Sequence, residues 1–118
     1  MNESNNLLGS IYISHRAIAS IAHRAAIESY GVVGLAAKNL AEGLAQALVK
    51  DPSMGVDVRY EGSAVVIDLY IVVEYGTRIK MVASSVSDSV RYQVERALGL
   101  QVREVNVHIR GLRISNPD

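Results

Sequence analysis

Three histidines, His15, His23 and His108, are the side chains of this sequence that titrate near neutral pH without perturbation. His15 and His23 lie eight positions apart on one predicted helix, which separates them by about 12 Å along its axis. Because ligands of one metal ion lie closer together, the spacing predicts no metal site, and His23 beside Arg24 indicates a solvated helix face. The chain has no cysteine, which excludes disulfides and thiolate metal sites.

His108 belongs to the last predicted strand, where polar and apolar residues alternate. Three other polar side chains share its outward side: Glu104, Asn106 and Arg110. A neighbouring strand would bring Asp68 or Glu74 near His108 and form a polar cluster by cross-strand pairing. Catalysis requires a nucleophile, an orienting partner and a pocket, and the sequence marks no such set. We therefore predict a non-enzymatic protein without catalytic residues, cofactor or metal ion.

Residues 31–34, Gly-Val-Val-Gly, match the GxxG loop of KH domains, in which the backbone grips phosphates. The two branched residues at the centre of this segment argue against that use. The stacking platform of RRM domains requires aromatic side chains, and this chain has no Phe or Trp and offers only Tyr70 on the outward face of its central strand. Twelve Lys and Arg balance twelve Asp and Glu, so no net charge attracts nucleic acid. We predict no nucleic-acid partner and keep an RNA-binding module as a minor alternative.

The elements that position these side chains begin after a polar, Asn-rich tail at residues 1–9. Alternating side chains predict a short strand over residues 10–13, and the Ser14 hydroxyl can cap the helix that follows. Apolar side chains at spacings of three and four predict that this helix runs over residues 15–30, with one face in the core and one in water.

A glycine-flanked segment separates this helix from a second one. Gly31 is placed to end the first helix in a left-handed conformation, and the apolar residues between Gly31 and Leu35 predict a buried turn. Leucines at steps of four then predict a shorter helix over residues 37–50, which Pro52 stops.

Alternating side chains predict a strand over residues 55–60, followed by a two-residue hairpin turn at residues 61–62. This turn sets three cross-strand pairs: Tyr60 with Ser63, Val58 with Val65, and Val56 with Ile67. The apolar residues of both strands then lie on one face of the sheet.

The returning strand covers residues 64–75, twelve residues where about five or six are usual. A strand of that length must pair with more than its hairpin partner. Apolar side chains at helical spacing predict a helix over residues 79–98, closed by Gly99. A final strand over residues 102–109 and an exit tail from Gly111 complete the chain.

The element order β-α-α-β-β-α-β predicts an α+β fold, a mixed sheet backed by helices, as a variant of the ferredoxin-like plan. We expect a single domain over residues 10–112, with short tails at residues 1–9 and 113–118. No apolar run approaches the roughly 20 residues of a membrane span, and the amino terminus lacks the pattern of a signal peptide. We therefore expect a cytoplasmic protein without direct membrane insertion.

The long strand carries apolar residues on the side that should contact water. If its odd-numbered residues face the helices, the other side is half apolar. Exposed apolar patches commonly mark interaction sites, so we predict that a second copy or a partner protein covers this side. The alternative cover is the amino-terminal strand or tail. The predicted interface comprises five residues: Val66, Tyr70, Val72, His108 and Arg110.

Three segments of this chain resemble the alkaline-shock, envelope stress response family, most closely its YloU-like branch. They read AVVIDLYIVVEYGTRI, ESYGVVGLAAKNLAEGLAQAL and VREVNVHIRGLRISN, and the likeness extends over about residues 11–116. The resemblance implies a bacterial cytoplasmic protein linked to envelope homeostasis and alkaline stress, without an established catalytic motif. Some members of the family are held at the membrane by a separate anchor protein. Members of the YloU-like branch are often encoded beside a kinase that resembles dihydroxyacetone and fatty-acid kinases.

Two functional hypotheses follow from the residues and the resemblance together. The first is a homo-oligomer or scaffold that binds protein partners at the envelope, with attachment to the membrane through a partner. The second is an accessory regulator of the neighbouring lipid-metabolism kinase. Neither hypothesis gives the chain a catalytic role.

Overall fold

A computed structural model describes residues 13–38, 48–49 and 51–114 of the 118-residue chain. Its elements in chain order are α1 (His15–Ile27), β1 (Val32–Leu35), α2 (Pro52–Gly55), β2 (Val56–Glu61), β3 (Ala64–Glu74), α3 (Ile79–Leu98) and β4 (Gln101–Arg113). The predicted α+β class and the mixed sheet backed by helices are confirmed, as is the hairpin-helix-strand order of the second half.

β3 is the centre of the four-stranded sheet. Its first half pairs antiparallel with β2 and its second half pairs antiparallel with β1. The other edge pairs with β4, in parallel, from Ala64 opposite Gln101 to Glu74 opposite Arg113. Since a parallel pair needs a crossover, α3 makes that connection and packs back onto the sheet. Among the described residues β4 is therefore an edge strand, and the long strand pairs with more than its hairpin partner, as its length predicted.

The core lies between the sheet and the two long helices. Small residues of α1 allow the helix to pack closely, and α3 contributes four valines spaced at four residues: Val82, Val86, Val90 and Val94. From the sheet, Ile67, Leu69 and Ile71 of β3 are fully buried. Burying each such side chain stabilises the fold by about 1.5–3 kcal/mol. Gly99 ends α3 in a left-handed conformation at φ 69°, which confirms the predicted helix and its stop.

The hairpin turn is displaced by one residue from the prediction, which shifts the strand pairing by two residues. Val58 pairs with Ile67, not with Val65, and the turn is formed by Gly62 and Ser63. Gly62 has φ 66°, so a left-handed glycine occupies the first turn position, as type II′ hairpins favour. Because strand faces alternate with a period of two residues, this shift leaves the same side chains on the core face.

The first half of the chain departs most from the prediction. α1 ends at Ile27, three residues before the predicted end, and the segment predicted as a buried turn forms β1 instead. Its carbonyls and amides pair with β3, and Gly34 permits close contact, since a Cβ at this position would lie 3.0 Å from Leu48 Cδ1. Leu48 bridges Ala36 in an extended pairing, so the described end of the predicted second helix is not helical.

Two predicted elements fall largely outside the described residues, namely the strand over residues 10–13 and the centre of the helix over residues 37–50. At the other end of the chain, β4 runs to Arg113, and Gly111 belongs to the strand where an exit tail was predicted. Two bulges, at Arg103 and at Arg110, adjust the register so that the strand follows β3 to its end at Glu74.

Candidate functional site

The reverse face of the sheet is the side turned away from α1 and α3, and the predicted interface residues lie there. Val66, Tyr70 and Val72 on β3 are 1%, 6% and 0% exposed, so they are already buried within one chain. His108 and Arg110 on β4 are exposed. The structure thus brings the five residues onto one face but divides them into a buried apolar part and an accessible polar part.

Asp68 is the centre of a polar cluster on this face. Its carboxylate accepts a hydrogen bond from Arg59 Nη1 at 3.3 Å through one oxygen, and the other oxygen lies 2.9 Å from His108 Nε2. Only 14% of the Asp68 side chain is exposed. The two contacts link all three strands of this region, β2, β3 and β4, and confirm that a neighbouring strand brings Asp68 to His108.

Tyr70 is held by two side chains from β4. The His108 ring stacks on the tyrosine ring at a centroid distance of 4.7 Å and an angle of 12°. The guanidinium carbon of Arg110 lies 5.0 Å from the same ring centroid, in a cation-π contact. Such a contact contributes about 0.5–2 kcal/mol, more as the ring is desolvated. His108 therefore connects the carboxylate of Asp68 with the aromatic ring of Tyr70.

Lys38 and Asp57 extend the cluster on the side of β2. Lys38 Nζ donates to Asp57 Oδ2 at 3.1 Å, and Arg110 Nη2 donates to the Lys38 carbonyl at 3.5 Å. The hydrogen bond to Asp57 and the charge of the same carboxylate raise the pKa of Lys38 above 10.5. Because the pKa of Lys38 is higher in the folded chain than in the unfolded one, this bond stabilises the fold below pH 10.5. The stabilisation is lost as the pH rises through the raised pKa.

Sequence reasoning missed Lys38, Asp57 and Arg59. The strand pattern contained a signal for the last two, because Asp57 and Arg59 alternate with core valines and lie opposite Asp68 and Val66 in the observed register. Lys38 carried no such signal, because its position depends on the chain path after β1.

The two histidines of α1 lie apart from this cluster. His15 is exposed at the start of the helix and its ring stacks on Tyr60, with centroids 5.7 Å apart. His23 is half-buried, contrary to the predicted solvated face, and this burial lowers the pKa of His23 below 6.5. The Tyr60 hydroxyl donates to the Ile13 carbonyl at 2.7 Å and fastens the start of the described chain to β2.

The chemistry available to the reverse face is ion pairing. The carboxylates of Asp57, Glu61 and Asp68 each contact a basic side chain. Within residues 13–38, 48–49 and 51–114, no three His, Asp or Glu side chains are grouped so that they could hold a metal ion. The arrangement fastens strands to each other and presents no activated nucleophile in the part of the chain that the structure describes.

The outer edge of β4 is the second accessible feature. Val105, Val107 and Ile109, here called the β4 strip, point to the core face but are only partly buried. At the start of the strand, Val102 N–H donates to Glu95 Oε2 at 3.0 Å and Arg91 donates to the Val102 carbonyl. Among the described residues, no strand pairs with this outer edge beyond that point.

A third feature lies at the end of the molecule where α1 stops and α3 starts. Tyr30, Tyr75 and Met81 are 84%, 62% and 58% exposed. Tyr30 and Met81 line an open groove of about 330 Å³ together with Arg78, which donates to the Met81 sulfur at 3.5 Å. The groove is apolar except for that guanidinium and the neighbouring hydroxyl groups.

No helix within the described residues has the length and apolar character to cross a membrane.

Solved structures of the MamM carboxy-terminal domain share this fold. A copper form of that domain superimposes with a TM-score of 0.52 at 16% identity, over 88% of this chain and 92% of that chain. At this level of identity the likeness shows the common fold alone, and the copper belongs to that protein.

Sequence comparison confirms the family. Residues 3–114 match the alkaline shock protein 23 family, described by a cell envelope-related function. The YloU protein of Bacillus subtilis (strain 168) is 46% identical over 111 residues, which cover 92% of this chain and 92% of that protein. Spy1614 of Streptococcus pyogenes serotype M6 is 31% identical over 108 residues, 90% of this chain and 89% of that protein. The chain therefore belongs to the alkaline shock protein 23 family, and its similarity to YloU matches the branch that its segments resemble.

Proposed function

We propose that this protein acts by association with protein chains, first with its own copies, within the cell envelope-related function of its family. The observation that carries the proposal is the β4 strip. Its three apolar side chains are partly exposed, whereas the residues beside them on β3 are fully buried. A contiguous apolar strip next to unpaired backbone groups is typical of a contact surface.

The polar residues of the reverse face support the same role. His108 and Arg110 are exposed beside the β4 strip, so we include them in the proposed contact surface. Val66, Tyr70 and Val72 are buried within one chain, so they would support this surface from beneath. The contacts of Arg103 with Glu61 and of His108 with Asp68 hold the strand that presents these groups. We further propose a cytoplasmic location, with partners that bring the protein to the envelope.

Sedimentation velocity over a concentration series tests the association. We expect the average mass to rise above that of one chain as the protein concentration increases. Val107→Thr keeps the shape of the side chain but makes the strip polar, so it should shift the transition to higher concentration. Tyr92→Thr is the matched control, because Tyr92 is 56% exposed on α3, away from β4. A single chain at every concentration would overturn the proposal.

A further inference from the structure

We infer that β4 pairs antiparallel with β4 of a second copy around a two-fold axis at Val107, which joins two sheets into one. This inference rests on the proposed self-association and adds the surface, the register and the residues that meet. It depends on three observations about β4: an outer edge that no strand of the described residues covers, its pattern of side chains, and two charges, Glu104 and Arg110, without an ion-pair partner in the described ranges.

The outer edge of β4 is a long pairing surface. β4 has thirteen residues, and within the described chain only β3 pairs with it. Edge strands are usually protected by proline, charged side chains, bulges or short length; β4 contains no proline or lysine, and its bulges and its Arg and Glu residues lie outside residues 105–109. The bulges at Arg103 and Arg110 flank a regular run, residues 104–109, that is available to a second strand.

The side chains along this run match those of a second copy that lies antiparallel beside it. With Val107 opposite its own copy, Val105 lies opposite the partner's Ile109, so the two β4 strips meet on the core face. On the reverse face, Glu104 lies opposite the partner's Arg110, and the symmetry produces this pair twice. A two-fold axis perpendicular to the sheet brings like faces together, so both sets of helices remain on one side of the joined sheet.

Neighbouring registers keep only part of the strip contact and lose the pair of Glu104 with Arg110. An axis at His108 places the two imidazoles opposite each other and sets Arg110 against the partner's Asn106. An axis at Val105 sets Val107 against the bulged Arg103 of the partner subunit. The Val107 register is the one in which all three residues of the strip meet the strip of the second copy, and it also sets Glu104 opposite the bulged Arg110 of the partner subunit.

Glu104 and Arg110 are the charged side chains that this register sets opposite each other. Both are exposed, and neither forms a salt bridge with another residue in the described ranges. Arg110 is nevertheless held in place, because it lies over the Tyr70 ring and donates to the Lys38 carbonyl. These contacts direct the guanidinium over β3, so pairing with the partner's Glu104 requires it to leave the Tyr70 ring and turn to the outer edge of β4.

A cysteine at position 107 tests the register directly, because the natural chain has no cysteine. Residues directly opposite in antiparallel strands have Cα atoms about 4.5–5.5 Å apart, a distance that a disulfide can bridge. Under mild oxidation we expect Val107→Cys to form a covalent dimer at least tenfold faster than Ser84→Cys, whose site is exposed on α3. Equal rates for the two variants would contradict the pairing.

Charge reversal provides a second test that does not depend on a residue of the core face. Glu104→Arg and Arg110→Glu each set two like charges opposite each other, so each single variant should weaken the dimer about tenfold or more. The double variant restores both pairs in reverse and should recover dimerisation. Circular dichroism confirms that each variant is folded.

The outcomes separate this inference from the proposed function. If the wild-type chain associates, but Val107→Cys cross-links no faster than Ser84→Cys and the double reversal gives no rescue, the β4 pairing is wrong and association stands. If the wild-type chain is monomeric at every concentration, both are wrong. Selective cross-linking together with rescue supports both.

Discussion

β3 and β4 run side by side in the same direction, yet they occupy opposite environments. In β3 both faces are buried, and the run from Ile71 to Val73 is fully buried. In β4 the core-facing Val105, Val107 and Ile109 are half-buried, and Glu104, His108 and Arg110 beside them are exposed. A strand flanked on both edges is covered by the rest of the chain, whereas an edge strand keeps part of its apolar surface for a partner.

The largest expected effect is the difference in stability loss when isoleucine is replaced by alanine in β3 and in β4. Ile71 on β3 lies opposite Ile109 on β4 in the sheet register. Ile71→Ala should lower the free energy of unfolding by about 2–5 kcal/mol, because it leaves a cavity in the core. Ile109→Ala should lower it by roughly half of that or less, because its side chain is partly exposed. Urea unfolding at a concentration where the protein is monomeric measures the free energy of unfolding of both variants. Equal losses of stability would contradict the difference between the strands.

A smaller difference in stability loss is expected between two carboxylates of the reverse face. Asp68 contacts both Arg59 and His108 and its side chain is 14% exposed, whereas the Asp57 side chain is 46% exposed. Asp68→Asn should destabilise the chain by about 1–3 kcal/mol, because it leaves a basic partner without its carboxylate. Asp57→Asn should cost about 0–1 kcal/mol, as is usual for exposed ion pairs. Thermal unfolding of both variants checks the order, and a larger loss for Asp57→Asn would show that burial does not set the strength of the cluster.

Sequence reasoning succeeded where the local pattern and the tertiary environment agree. The valine stripe of α3 and the glycine after it predicted the helix and its end at Leu98, because each residue acts through its own turn. The faces of the hairpin were also correct, since alternation alone determines them. The turn was displaced by one residue because both placements contain Gly62, and the pairing shifted by two residues, which keeps the same side chains on the core face.

Prediction from the sequence failed where contacts with distant parts of the chain decide the conformation. The segment around Gly34 forms a strand because the second half of β3 offers an unpaired edge, which no local pattern reveals. The reverse-face residues were located correctly, but the sequence did not show that Tyr70 is buried, because that depends on contacts from Arg110 and His108. The end of β4 was placed too early because a bulge interrupts its alternation.

Hydrogen exchange of backbone amides at low and high protein concentration tests the role of the β4 edge most directly. Amides whose exchange requires opening of a strand pair are protected only while the pair exists. We expect amides within residues 104–109 to exchange more slowly at high concentration, and amides of β3 to exchange at the same rate at both concentrations. A chain that associates without any slowing of exchange in residues 104–109 would contradict the account.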